Sequence, residues 1–188
     1  SPKTSAICAG QTQVVSGIFG GSATQVSYSS SGTGTFSSPL ASASPFNVTY
    51  TPSTADITVG TVTLYATTNN PLGSPCSVRI DSFTLNINPV PIATASNTGP
   101  YCEGSTISLV GGVNGLASYA WSGPNAYANG TQSPSISSST PTMSGVYTIT
   151  VTDASSCTAT ATTTVEVNPL PQISAVATNT ICTANNGI

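Results

Sequence analysis

The chain has 188 residues, of which two are basic (Lys3, Arg79), five acidic (Asp56, Asp81, Glu103, Asp153, Glu166) and none histidine, for a formal net charge of −3. Two cations cannot displace the counterions of a nucleic acid backbone, and the net charge offers no attraction to anionic lipid. Without histidine, nucleophile activation by a Ser-His-Asp or Cys-His arrangement is excluded in its usual form.

No apolar run reaches the roughly 18 to 20 residues that span a bilayer, so no membrane insertion is expected. The opening "SPKTSAICAG" lacks the apolar region of a signal peptide, and the chain reads as a mature or internal segment. Hydration falls to Ser, Thr, Asn and Gly, because only 4% of residues are charged against about 25% in an average domain.

In chain order, Cys8 in "AICAGQT" opens a first unit. Tyr28 and the alternating residues Val62, Leu64 and Ala66, then Phe83, Leu85 and Ile87, place one apolar face on successive strands. Cys76 in "GSPCSVRIDSF" precedes the closing strand, and "NPVP" at 88–91 ends the unit. Two prolines there fix φ and remove amide donors, which ends strand pairing and stiffens the connector.

The second unit repeats the plan. Cys102 in "PYCEGST" opens it, and Trp121 in "SYAWSGPN" and Tyr147 in "VYTITV" match a core aromatic on strand C and a tyrosine corner entering strand F. Tyr147, Ile149 and Val151 share a face. So do Cys157, Ala159, Ala161, Thr163, Val165 and Val167 on the strand that ends at "NPLP", 168–171. Asn88 and Asn168 lie 80 positions apart, and each precedes a further cysteine, Cys102 or Cys182, by 14.

Short strands, turn clusters and no visible amphipathic helix define an all-β fold class: tandem immunoglobulin-like β-sandwiches joined end to end. The expected boundaries are 1–91 and 92–171 for two sandwich repeats, with 172–188 holding the first strand region of a third.

The five cysteines include no close pair of the kind zinc sites use, so no metal is expected. Disulfides remain, and their phase within the repeat predicts Cys8 with Cys76 and Cys102 with Cys157, leaving Cys182 unpaired or paired outside the segment. Such bonds persist in an oxidising compartment, which predicts an extracellular protein.

Asp153 and Glu166 could in principle serve as a glycosidase pair, but their strand positions put them about 30 Å apart. Catalytic residues and cofactors are therefore expected to be absent. Asp153 beside "ASS" reads as a turn cap, one carboxylate being too few for calcium. Trp121 and Tyr127 flank "SGPNA" and would be the residues to stack on a sugar, although Trp121 fits a core anchor better. The sequons Asn47-Val-Thr49 and Asn129-Gly-Thr131 mark surface positions.

The stretches "VTYTPSTADITVGTVTLYATTNNPLGSPCSVRIDSFTLNINPVP" and "GPYCEGSTISLVGG…SGVYTITVTDASSCTATATTTVEVNPLP" resemble the tandem Ig-like and PKD-like repeats of very large cell-surface proteins of Bacteroidota. The resemblance covers nearly the whole chain. It implies export by the type IX secretion route and a surface filament or adhesin serving adhesion, gliding or cell-cell contact. The partners it implies are neighbouring repeats or identical subunits in a fibre, and surface glycans. The same modules also act as carbohydrate-binding or spacer units of secreted polysaccharide-degrading enzymes, which is the alternative function.

Overall fold

The computed structural model describes residues 3–176. The first half contains β1 (Thr4–Cys8), β2 (Gln13–Gly17), β3 (Val26–Ser30), β4 (Thr35–Phe36), β5 (Leu40–Ala41), β6 (Phe46–Thr51), the helix α1 (Thr54–Val59), β7 (Thr61–Thr68) and β8 (Ile80–Asn88). The second contains β9 (Ala95–Asn97), β10 (Tyr101–Cys102), β11 (Ile107–Gly111), β12 (Ser118–Gly123), β13 (Tyr127–Asn129), β14 (Ser135–Ile136), β15 (Gly145–Thr152), β16 (Thr158–Val165) and β17 (Val167–Asn168).

Each half is a two-sheet sandwich. In the first, a sheet of order β1-β8-β7-β3-β5 faces one of order β2-β6-β4, with Val15, Val26, Phe46, Val48, Tyr50, Val62, Leu64, Leu85 and Ile87 buried between them. In the second, β13-β12-β15-β16 with the small β10-β17 pair faces β14-β11-β9, around Tyr101, Ile107, Leu109, Trp121, Tyr147, Ile149, Val151, Val165 and Val167. In each half the F and G strands (β7 and β8; β15 and β16–β17) are antiparallel, the C strand (β3; β12) lies beside F and an opening strand (β1; β10) runs parallel to G, which is the immunoglobulin-like arrangement. The chain is thus a tandem of immunoglobulin-like sandwiches joined end to end.

The period-two reading holds at these strands. Val62, Leu64, Leu85 and Ile87 are buried while Ala66 and Phe83 are partly so, and the Tyr147, Ile149, Val151 face is buried throughout. The pair Gly145 and Val165 sets the last hairpin's register, which puts Glu166 a full strand away from Asp153.

One element was invisible to periodicity. The six-residue helix α1 is too short to show an apolar stripe. It forms because Ser53 and Asp56 make a reciprocal capping box and Gly60, at φ 78°, ends it in the left-handed region. Asp56 does more than cap. It is buried, and its carboxylate accepts from Tyr50 Oη at 2.7 Å, Gly34 N at 2.8 Å, Thr33 N at 2.9 Å and Ser53 N at 2.9 Å. Burial pushes its pKa up. The backbone donors of Ser53 and Thr33, with the hydroxyls of Tyr50 and Ser53, outweigh that and hold it below the ordinary carboxylate value.

Candidate functional site: the joint and the open edge

The joint is defined by strand direction. β1 runs parallel to β8, so Thr4 lies beside Thr84 and Cys8 beside Asn88, where the first sandwich ends. The chain leaves there through the proline connector and enters the second sandwich beside the turn that joins β15 to β16. Asp153 shapes that turn, its Oδ1 accepting from Ser155 N at 2.8 Å and Cys157 N at 2.9 Å. The turn-cap role expected of Asp153 is the one observed. The result is to hold Cys157, fully buried, against the exit of the preceding sandwich.

Cys8 and Cys157 form a disulfide with Cα atoms 5.6 Å apart. This overturns the expected pairs Cys8 with Cys76 and Cys102 with Cys157. Cys76 lies on the β7–β8 turn, at the far end of β8 from Asn88, whereas Cys8 sits level with Asn88. A strand of that length spans about 30 Å, and a disulfide tolerates roughly 4.4–6.8 Å between Cα atoms. The same strand length separates Cys102, level with Asn168, from Cys157. The phase of a repeat tells which cysteines are equivalent; it does not tell at which end of a sandwich each one lies. Cys76 and Cys102 are free and exposed. Residues 172–176 of the expected third-repeat region are exposed and form no strand, and the rest of it, 177–188 with Cys182, lies outside the described residues.

Trp121 and Tyr127 do not make an exposed platform. Trp121 is 2% exposed at an inward position of β12, and its Nε1 donates to Gln132 O at 3.1 Å. Tyr127 packs edge-on against Tyr147, with ring centroids 5.5 Å apart. Tyr147 Oη donates to Met143 O at 3.0 Å, the backward hydrogen bond of a tyrosine corner. Tyr147 is buried and Tyr127 half-buried, and burial raises the pKa of both phenols.

An open cavity of about 650 Å³ in the first sandwich was not visible in the sequence. It lies between β2 and the half of β8 that β1 does not cover. Phe19, Phe36, Phe46 and Tyr65 line it together with Lys3, Arg79 and Asp81, so both cations of the chain are at its rim. Lys3 pairs with Asp81, a contact that holds the Asp81 carboxyl below its ordinary value. In the second sandwich β11 is flanked by β9 as well as β14, whereas β2 pairs only with β6 among the described residues. Lys3 and Arg79 are far apart in sequence, and no motif could have announced that both line one cavity.

Among the described residues no group of three His, Cys, Asp or Glu side chains gathers, and no helix is long and apolar enough to cross a membrane.

No family model and no curated protein matches this chain. Among solved structures, it is similar to the amphioxus IgVJ-C2 molecule at 15% identity, over 85% of this chain and 98% of that one, with a TM-score of 0.36. The full ectodomain (Ig1–Ig3) of mouse nectin-like molecule 4 is 13% identical over 80% of this chain and 56% of its own, with a TM-score of 0.38. The N-terminal four Ig domains of Dscam1 isoform 6.9 are 11% identical over 88% and 43%, with a TM-score of 0.34. This chain spans almost the whole of the first and about half of the other two.

Proposed function

We propose that this chain is a structural segment of an extracellular adhesin or cell-surface filament, of the kind built from tandem Ig-like and PKD-like repeats in Bacteroidota and exported by the type IX route. Its repeats divide at 91/92 and near 171, and its partners are neighbouring repeats or identical subunits. It is a non-enzymatic shaft. The observation that carries this reading is the Cys8–Cys157 bridge. A covalent tie beside a proline connector fixes one sandwich on the next, which suits a load-bearing rod better than an enzyme core. A disulfide also fits an oxidising, extracellular setting.

Electron microscopy of native material tests it. A fibre or extended rod is expected, and isolated compact particles would overturn it.

The open cavity favours a second reading, a glycan-binding or spacer module of a secreted polysaccharide-degrading enzyme, since aromatic walls and a few polar groups suit a sugar. Glycan binding lost on substitution Arg79→Ala or Tyr65→Ala would favour it over the plain shaft.

A further inference from the structure

Cys76 and Cys102 occupy, in their own sandwiches, the places from which the observed bridge is made. Cys102 repeats the backbone surroundings of Cys8. Cys8 stands level with Asn88 on a parallel pair, and Cys102 level with Asn168. The next residue donates to that asparagine's carbonyl in both sandwiches, Ala9 N to Asn88 O and Glu103 N to Asn168 O, each at 2.8 Å. Both turns then close with a bond to the cysteine carbonyl, Gln11 N to Cys8 O and Ser105 N to Cys102 O, each at 3.0 Å. Cys76 in turn lies on the turn before β8 as Cys157 lies on the turn before β16.

The first sandwich therefore spends its exit cysteine on the entry cysteine of the second. An unused entry cysteine remains at one end of the tandem and an unused exit cysteine at the other, both exposed.

We propose that Cys102 and Cys76 are the two halves of this same joint, each bonded to the complementary cysteine of another repeat of the same kind, so that every joint of the array carries an exit-to-entry disulfide. This rests on the tandem-repeat part of the reading above and goes beyond it in assigning the bonds. The partner of Cys102 is a cysteine on the turn before a closing G strand. The partner of Cys76 is a cysteine at the end of an opening strand.

The oxidant is a small-molecule or protein disulfide. One cysteine thiolate attacks it, releasing a first thiol and leaving a mixed disulfide. The second cysteine thiolate attacks that, releasing a second thiol. Two cysteines lose two electrons, one external disulfide gains them, and the two protons leave on its thiols. A thiol kept reduced would gain nothing from exposure, whereas a bond across each joint holds it against tension.

Native material is alkylated without reduction, digested with pepsin and mapped by mass. The chain is poor in trypsin sites, having one lysine and one arginine. The expected result is loss of both free thiols, with Cys102 joined to a peptide whose cysteine stands 11 or 12 residues before an Asn-Pro-x-Pro, and Cys76 joined to an opening-strand peptide. A Cys102 partner lying outside this sequence indicates a further repeat of a longer chain. A partner that is Cys76, joined in mixed-isotope form when labelled and unlabelled 188-residue chains are oxidised together, indicates a second copy. Either supports the joint. Alkylated Cys76 or Cys102 in native material, an exit-to-exit bond such as Cys102 with Cys182, or Cys76 joined to Cys8 of its own chain would overturn it. A fibre with free thiols sinks the bond assignment alone, while compact particles with the expected bonds sink the shaft alone.

Discussion

The disulfide from Cys8 to Cys157 joins the exit of one sandwich to the entry turn of the next, across 149 positions of sequence. Because it runs through both units, it shortens the unfolded state of either one. Unfolding the first sandwich leaves a segment held at Cys8 and at the connector. Unfolding the second leaves one held at the connector and Cys157.

Substituting Cys157→Ser should therefore destabilise the first sandwich as well as the second, by up to about 4 kcal/mol each in the chain-entropy model. Domain-resolved thermal unfolding checks this. An effect confined to the second sandwich would indicate a staple within that unit instead.

Asp56 gives a pH dependence whose sign follows from its depressed pKa. A carboxyl held below its unfolded value of about 3.9 contributes stability that is complete above that value and is lost as pH falls through the lower, folded one. The first sandwich should lose stability in acid below about pH 4, and Asp56→Asn should remove much of that acid sensitivity while lowering stability at neutral pH. Asn keeps the shape but loses charge-assisted bonds to Tyr50, Gly34, Thr33 and Ser53, worth roughly 1.5–3 kcal/mol for such groups. Urea unfolding at pH 3 and pH 7 measures both effects.

The core of the second sandwich was legible because its signals are local. Trp121, Tyr147 and the alternation from Tyr147 to Val151 each declare a strand and a face within a few residues. The substitution Trp121→Ala should cost about 3–5 kcal/mol. Tyr147→Phe should cost about 0.5–1.5 kcal/mol through the lost bond to Met143 O. Equal effects from the two would mean that the tyrosine corner does more than one hydrogen bond can.

The joint was not legible, for a definite reason. Strand direction decides which end of a sandwich a residue occupies, and β1 could have run antiparallel to its neighbour without altering the alternation of a single side chain. The parallel pairing of Cys8 with Asn88 is a tertiary fact. It moves Cys8 a whole strand away from Cys76 and into reach of Cys157. The cavity escaped for the same reason, since Lys3, Phe19 and Arg79 come to line one opening only once β2 and β8 are set on facing sheets. Helix α1 escaped because its capping box, Ser53 with Asp56, spans too few residues to stand out from the surrounding Thr and Ser.

The connector can now be assigned its share of the stiffness. Pro89 and Pro91 restrict the backbone between the sandwiches, and the Cys8–Cys157 bond adds a second tether beside it. Two tethers side by side oppose bending more than either alone, because motion about one stretches the other. Replacing both prolines by glycine in the oxidised chain should therefore broaden the inter-sandwich angles only slightly in small-angle scattering. The same replacement in a Cys8→Ser chain should broaden them strongly. Circular dichroism should stay native in both, since the prolines lie outside each core. A broadening that is equally large with and without the disulfide would show that the bond does not constrain the joint, and the stiffness of the rod would then rest on the prolines alone.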